Sequence, residues 1–231
     1  MSIATRPISS RDVEDALMYL PRKGVTDYRR GQIIFMENQP SQQLHLVVRG
    51  RVKLVIPMED GSQTLVDIFT TDDFFGESAL LPSAAKHSER AIALDNASLM
   101  SWAASEIEEQ VEREPRLGIA LLQMLVKRSL DYEERLQDFA LEKTPERVVR
   151  AVLRFAERTG TRAEDGSLRV PPLTHQLISE YVGTSREIVT FHMNQLRQKG
   201  LLRYSRRGMQ VNPRALREHL GSRVDRDAPT A

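Results

Sequence analysis

The stretch that decides the fold class is THQLISEYVGTSREIVTFHMNQLRQKGLL, residues 174–202. Thr174 can cap a first helix, and Gly183 can end it. A second helix begins at Arg186 and stops before Gly200. The apolar face of this second helix consists of Ile188, Val189, Met193 and Leu196. Two short helices joined by a tight turn that contains glycine are typical of a helix-turn-helix.

The residues behind this motif predict a basic hairpin. Residues 201–204 and 209–211 have the apolar pattern of short strands, and between them lie Ser205, Arg206, Arg207 and Gly208. Such a hairpin is the wing of a winged helix-turn-helix, and the complete motif spans residues 174–213.

The start of the second helix carries side chains that can read base edges. Arginine can form two hydrogen bonds with guanine, glutamate can accept one from cytosine, and threonine offers a hydroxyl and a methyl group. We therefore predict base contacts from Ser185, Arg186, Glu187 and Thr190. Contacts with phosphates fix the register of a protein on DNA without reading sequence. We predict these from Thr174, His175, Arg203, Arg206 and Arg207.

Charge is unevenly distributed along the chain. Residues 1–141 carry 16 Lys and Arg against 22 Asp and Glu, a balance of −6, whereas residues 142–231 carry 17 against 10, a balance of +7. This asymmetry favours two domains, of which only the second meets a polyanion such as double-stranded DNA. Chance variation in surface charge is the alternative.

The composition excludes several kinds of chemistry. The 231 residues include no cysteine, so disulfides, cysteine-ligated zinc and iron–sulfur clusters are excluded. The five histidines have no metal-ligand spacing, and no nucleophile–base motif is present, so we expect neither a metal site nor an enzyme. Without an apolar run of ~18 residues or a signal-peptide pattern, we expect a cytoplasmic protein with no membrane partner.

The front part of the chain predicts many short strands between about residues 25 and 103. Apolar runs recur at residues 33–35, 44–48 and 65–69, and the pair Asp60-Gly61 is a strong hairpin signal. Many short strands of this kind are typical of a barrel or a sandwich.

After Pro115 the chain predicts one long helix that ends near Glu142. This helix would contain ~25 residues and measure ~38 Å. Residues at alternating spacings of four and three form a heptad seam, which consists of Leu122, Leu125, Ser129, Tyr132, Leu136 and Phe139. We interpret the seam as the contact surface of a homodimer, although a helix buried on one core could carry the same stripes.

In this order of elements the chain resembles the cyclic-AMP receptor protein and fumarate–nitrate regulator (Crp/Fnr) superfamily. The resemblance covers about residues 20–220 and rests on residues 182–187, residues 46–52 and the triplet Phe75-Gly76-Glu77. It implies an α+β fold with a cyclic-nucleotide-binding-type β-roll (jelly-roll), a long dimerisation helix and a winged helix-turn-helix. Members are homodimers that bind near-palindromic DNA sites and regulate transcription, which implies RNA polymerase as a further partner.

Three parts follow from this order of elements. We expect a β-roll sensor domain with an N-terminal helix in residues 1–114, a dimerisation helix in residues 115–142 and a DNA-binding domain in residues 143–221. Between the last two parts, Thr144 can cap a new helix that has Pro145 at its first position, which predicts a hinge.

The resemblance also locates an effector pocket in the β-roll, with candidate residues Gly76, Glu77, His87, Ser88, Arg90, Asp131 and Tyr132. The arginine that holds the cyclic phosphate in nucleotide-binding members falls on His87. Strand alternation would turn Arg90 the other way, although a shifted loop could still restore it. The pair that contacts adenine falls on Asp131 and Tyr132. These departures argue against cyclic AMP as the natural ligand. Haem bound through a residue such as His45 or His87, another effector, and no effector at all stay open.

The second helix departs from the resemblance as well. The third base-reading arginine of the cyclic-AMP receptor falls on Phe191, which is followed by His192. We therefore expect an operator that shares only the positions read by Arg186 and Glu187. An alternative interpretation of the same motifs is a cyclic-nucleotide-binding regulatory module whose winged helix binds protein rather than DNA.

Overall fold

The computed structural model describes residues 14–81, 86–205 and 208–224, with side chains of the last helix described to residue 221. The described residues of the first part of the chain form eight strands: β1 (Thr26–Tyr28), β2 (Ile33–Phe35), β3 (Gln43–Arg49), β4 (Val52–Pro57), β5 (Gln63–Phe69), β6 (Phe74–Phe75), β7 (Arg90–Ala93) and β8 (Ala97–Ala103). They build two antiparallel sheets, with the orders β1-β8-β3-β6 and β2-β7-β4-β5.

An apolar core fills the space between the two sheets. Val47, Phe69 and Phe75 belong to it and are fully buried, as expected for strands whose side chains alternate between two faces. The tight turn between β3 and β4 requires Gly50. Its φ is +81°, and a Cβ at this position would lie 2.3 Å from the backbone oxygen of Asn96. This part of the chain is therefore a two-sheet roll of the jelly-roll type.

Three helices follow the last strand of the roll: α1 (Ala104–Arg113), α2 (Arg116–Leu141) and α3 (Thr144–Thr159). The 26 residues of α2 extend over about 39 Å. Leu117, Ala120 and Leu121 of α2 are buried in one cluster with Trp102 of β8. The long helix therefore lies on the outer face of the first sheet.

The outward face of α2 differs from the predicted heptad seam. The exposed apolar stripe, with 51–61% of each residue accessible, consists of Ile119, Leu122, Val126 and Leu130. Leu136 and Phe139 of the predicted seam are also exposed, although the ring of Phe139 lies next to Gly183, whereas Tyr132 lines a cleft within the same chain. The dimer seam stays a prediction. Periodicity alone does not distinguish two neighbouring apolar stripes of one helix.

Where the structure describes the rear part of the chain, it contains a four-stranded sheet and three further helices. Its elements are β9 (Thr161–Arg162), β10 (Leu168–Val170), α4 (His175–Val182), α5 (Arg186–Gln198), β11 (Leu202–Ser205), β12 (Gly208–Val211) and α6 (Pro213–Val224). The sheet has the order β11-β12-β10-β9. The strands of the predicted wing, β11 and β12, thus extend a sheet that begins before the helix-turn-helix. Helix α6 was not predicted.

The front and rear parts share one apolar cluster. Val55, Leu65 and Ile68 of the second sheet are buried in the same cluster as Ile178 and Val182 of α4. The helix-turn-helix is thus docked against the roll in this conformation.

The described architecture confirms the predicted α+β fold of a roll, a long helix and a winged helix-turn-helix. Of the N-terminal helix expected in the first domain, the described residues contain one short 3-10 helix, Ala16–Met18, while residues 1–13 lie outside them. None of the described helices is both long and apolar enough to cross a membrane.

Candidate DNA-binding surface and junction cleft

Two side-chain caps and one glycine shape the helix-turn-helix. The hydroxyl of Thr174 accepts a hydrogen bond from the backbone N–H of Leu177 at 3.0 Å and begins α4. Gly183 ends α4 with φ +68°, and a Cβ there would lie 3.1 Å from the ring of Phe139. The hydroxyl of Ser185 accepts from the N–H of Ile188 at 3.3 Å and begins α5. The predicted cap at Thr174 is confirmed, whereas the cap at Ser185 was not predicted. The predicted cap at Thr144 is wrong, because α3 begins at Thr144 itself and Lys143 is its N-cap without a side-chain hydrogen bond.

Helix α5 has one anchored face and one free face. Val189, Met193 and Leu196 are buried in the core of the rear part, whereas Arg186 and Glu187 are exposed. Hydrogen bonds from its own backbone N–H and from the Ser185 hydroxyl lower the pKa of Glu187. The carboxylate is therefore ionised at neutral pH, and in this state it can accept a hydrogen bond from a base amino group.

Thr190 and His175, predicted as DNA contacts, are bonded to each other. The Thr190 hydroxyl donates to the backbone oxygen of Arg186 at 2.8 Å and lies 2.9 Å from Nδ1 of His175. Because the hydroxyl proton is used, Nδ1 is the donor to Thr190. Burial, followed by the charge of Arg186, lowers the pKa of His175. The imidazole is thus neutral at pH 7, and its hydrogen bond holds the Thr190 side chain in place.

The wing is tied to α5 by a contact that the sequence did not reveal. The Tyr204 hydroxyl donates to Oδ1 of Asn194 at 2.9 Å, and the guanidinium of Arg197 lies 5.4 Å from the Tyr204 ring. No local signal marks this pair, because its members lie ten residues apart on different elements. Arg203 is exposed on β11, while Arg206 and Arg207, also predicted as phosphate contacts, lie outside the described residues.

In the roll, the charged candidates for the effector pocket pair with other side chains. Glu77 accepts from Arg128 of α2 at 2.6 Å. Arg90 donates two hydrogen bonds to Glu37, at 2.6 and 3.0 Å. Gly76 has a φ of +82°, and a Cβ there would lie 2.8 Å from a backbone oxygen. The structure therefore uses these residues to hold the roll together.

His87 and Ser88 have different surroundings from each other. The buried ring of His87 stacks on Phe35 with 3.7 Å between ring centres, and its Nδ1 lies 3.3 Å from the Ser78 hydroxyl. Burial lowers the pKa of His87, so the imidazole is neutral at pH 7. Ser88 is exposed and donates to Glu89. The expected pocket residues thus point into separate surroundings.

A cleft of about 890 Å³ opens where the roll, α2 and α3 meet. Of the seven predicted pocket residues, only Asp131 and Tyr132 line it. Its other charged walls include Asp67 and Asp73 of the roll and Arg158 of α3. Burial raises the pKa of Tyr132, and its hydroxyl has no hydrogen-bond partner within the described part of the chain.

Polar contacts across this cleft join the front and rear parts. Arg158 pairs with Asp67 and, at 3.3 Å, with Asp73. Arg135 of α2 donates to the backbone oxygens of Leu65, Val66 and Tyr181 at 2.5–2.9 Å, which links the roll to α4. Burial raises the pKa of Asp67 although Arg158 opposes the shift. The docked position of the helix-turn-helix therefore depends on charged groups as well as on the shared apolar cluster.

The comparisons with known proteins match both parts of the chain. The family model of the cyclic nucleotide-binding domain matches residues 25–114, and that of the Crp-like helix-turn-helix domain matches residues 146–219. A CRP-like cAMP-activated global transcriptional regulator of Mycobacterium tuberculosis is 31% identical over 185 residues, which are 77% of this chain and 79% of the relative. The global nitrogen regulator of Synechocystis is 28% identical over 196 residues, 83% of this chain and 86% of the relative.

The fold is shared with solved structures as well. FixK2 from Bradyrhizobium japonicum superposes with a TM-score of 0.73 at 23% identity, covering 84% of this chain and 96% of that one. By their names, the relative from Mycobacterium tuberculosis is a transcriptional regulator and that from Synechocystis is a nitrogen regulator. The chain therefore belongs to the CRP/FNR family of transcription regulators and carries the family's helix-turn-helix DNA-binding domain.

Proposed function

We propose that this protein is a homodimeric regulator that binds a near-palindromic operator with sequence specificity. The observation that carries the proposal is the free start of α5, where Arg186 and Glu187 are exposed while the opposite face is anchored in the core. Arg186 can donate twice to guanine, and ionised Glu187 can accept from cytosine. In a dimer the two recognition helices would lie one DNA turn apart, ~34 Å. RNA polymerase is the further partner that such regulation requires.

Selection of bound sequences from random double-stranded DNA tests the operator. The purified protein should enrich an inverted repeat whose half-site centres lie about 10 base pairs apart. Arg186→Ala should cost ~1–3 kcal/mol per half-site and relax the preference at one base pair. The matched control is Arg113→Ala, an exposed arginine of α1, which should change neither. Enrichment of no sequence by the parent protein would contradict the proposal.

The dimer is proposed to form through the exposed stripe of α2. Burying one such side chain stabilises by ~1.5–3 kcal/mol, and spacings of three and four residues suit a helix–helix seam. Leu122→Glu combined with Val126→Glu should yield a monomer in light scattering and weaken operator binding. Met58→Glu alters an exposed apolar residue of the roll and should leave the dimer intact. A dimer that survives the first change would place the interface elsewhere.

Cyclic AMP is not part of the proposed control. His87 stands in the position of the phosphate-binding arginine and stacks on Phe35, while Arg90 is held by Glu37. The ring of His45 is likewise packed against those of Phe35 and Phe75, which does not fit haem ligation. Titration calorimetry with cyclic AMP should show no binding; saturable binding would contradict this part of the proposal.

We propose instead that a small effector acts in the junction cleft. The proposed division into residues 1–114, 115–142 and 143–221 places the hinge between α2 and α3. Because the cleft walls come from all three parts, a ligand there can compete with the contacts of Arg158 and Arg135 and alter the docking of the helix-turn-helix. Metabolites that shift operator affinity should lose this effect when Tyr132, whose hydroxyl makes no hydrogen bond among the described residues, is replaced by Phe.

A further inference from the structure

The free face of α5 has an aromatic ring near its centre. Phe191 lies four residues after Glu187, so both side chains share one face of the helix. The phenylalanine is 58% exposed, and Ile188, on the flank of the same helix, is 43% exposed. At this position, beside the residues predicted to read bases, the ring is available to pack against an apolar group of the DNA.

We infer that Phe191 reads the 5-methyl group of a pyrimidine, which in unmodified DNA is thymine, in the major groove. The inference rests on the proposed binding of α5 to DNA. Among the four base pairs, only those with thymine present an apolar group at the major-groove edge, and apolar side chains are the groups that recognise it. A phenylalanine ring offers no hydrogen bond to guanine or cytosine, and covering their polar edges without a partner costs free energy.

The geometry of α5 gives the position of this methyl group in the half-site. Four residues of α-helix rise ~6 Å, and successive bases of one strand lie ~3.4 Å apart along the DNA axis. The methyl contact therefore falls about two base pairs from the pair that Glu187 reads. A palindromic operator would contain it twice, once in each half-site.

A neighbouring ring fixes the orientation of Phe191. His192 meets it edge to face, with 5.2 Å between ring centres, and Nδ1 of His192 lies 3.4 Å from Oε1 of Gln195. A ring supported in this way loses less conformational freedom when it packs on a base edge. The contact is thus suited to discriminate a single methyl group.

Deoxyuridine is the sharpest probe, because it differs from thymidine only by the missing methyl group. In the operator selected by the parent protein, each thymine of the half-site is replaced singly by deoxyuridine, and affinities are measured by fluorescence anisotropy. One position should lose about fourfold in affinity, and the same change in both half-sites about fifteenfold. At this position 5-methylcytosine paired with guanine should bind about fourfold better than cytosine does.

Variants of Phe191, combined with the thymine and deoxyuridine operators, form a double-mutant cycle that measures the contact between the ring and the methyl group. Phe191→Ala should bind the thymine and deoxyuridine operators equally, and Phe191→Leu should restore part of the difference. Ile188→Ala removes another exposed apolar residue, from the flank of the same helix, and should keep the full difference. Thermal melting by circular dichroism checks that each variant is folded.

The operator proposal and the methyl contact can fail separately. If the parent enriches no sequence, the operator proposal falls and the role of Phe191 falls with it. If the parent binds a defined operator, but no deoxyuridine position weakens binding or Phe191→Ala keeps the same loss, the operator proposal stands and the methyl contact is overturned.

Discussion

The roll and the helix-turn-helix use their recognisable motifs in opposite ways. On α5 the motif residues Arg186 and Glu187 are exposed and free for a partner. In the roll the motif residues Glu77 and Arg90 are paired with Arg128 and Glu37 of the same chain. The family's motif residues are therefore exposed in one half of the molecule and paired within the chain in the other.

Removing Arg128 tests most strongly whether the paired motif residues of the roll support the structure. It is largely buried, pairs with Glu77, donates to the backbone oxygen of Phe74 and lies over the Phe69 ring at 4.9 Å. Arg128→Ala should lower the free energy of unfolding by about 3 kcal/mol, because it leaves a carboxylate without its partner. Urea denaturation at fixed protein concentration measures this.

The matched variant on the DNA surface is Arg186→Ala. It removes an exposed arginine and should change the free energy of unfolding by less than about 0.5 kcal/mol. If the two variants were equally stable, Glu77 and Arg128 would not be structural supports, and the expected pocket would return as a candidate.

The buried histidines of the roll predict a dependence of stability on pH. Burial, and next the charge of His87, lower the pKa of His45 to about 4. Because the folded state disfavours protonation of His45, the neutral imidazole contributes to the free energy of unfolding. This contribution is complete above the ordinary pKa of about 6.5 and is lost as the pH falls towards 4. The loss should amount to about 3 kcal/mol.

The comparison with His45→Asn isolates this contribution from the other acid-sensitive groups. The amide can keep a hydrogen bond to Ser101, which lies 2.7 Å from Nδ1 of His45, but it does not titrate. The stability difference between parent and variant, measured by urea denaturation, should therefore shrink from pH 7 to pH 4. A constant difference would mean that His45 has a normal pKa.

The junction offers a test of how the two halves communicate. Arg158→Ala removes the contacts with Asp67 and Asp73 and should weaken docking by about 1 kcal/mol, roughly fivefold. Hydrogen exchange in α4 and β5 should become faster, and operator affinity should rise if docking restrains the DNA-binding domain. Arg217→Ala breaks a more exposed ion pair with Glu157 on the same helix α3 and should leave both unchanged. Unaltered exchange in Arg158→Ala would show that the apolar cluster alone maintains docking.

The helix-turn-helix could be predicted in detail because its determinants are local. Thr174 and Ser185 cap helices within three residues, and Gly183 supplies the positive φ that ends α4. The strands and the long helix could also be predicted, from the spacing of apolar residues and from the positions of glycine and proline. The fold class was therefore accessible from the sequence.

The surroundings of the candidate pocket residues in the roll could not be predicted, because they are fixed by partners that lie far away in the chain. Arg90 meets Glu37 and His87 meets Phe35, each more than fifty positions away. The same holds for the orientation of α2: Tyr132 faces the cleft because the roll and α3 build a wall there. Contacts between residues that lie far apart in the chain leave no periodic pattern in the sequence. A resemblance to a family identifies the motif residues but not the residues that they contact.

The bond between His175 and Thr190 can distinguish a positioning role of His175 from a phosphate contact. His175→Ala removes the donor to Thr190 and should weaken operator binding by about 1 kcal/mol, roughly fivefold, while relaxing the base preference near Thr190. His175→Asn can still donate to the hydroxyl and should restore most of both effects. If His175 instead contacted a phosphate, its loss would weaken all DNA sequences equally and reduce the salt dependence of binding. Anisotropy titrations of operator and random DNA at several salt concentrations separate the two roles, because only a positioning residue changes the ratio between the two affinities.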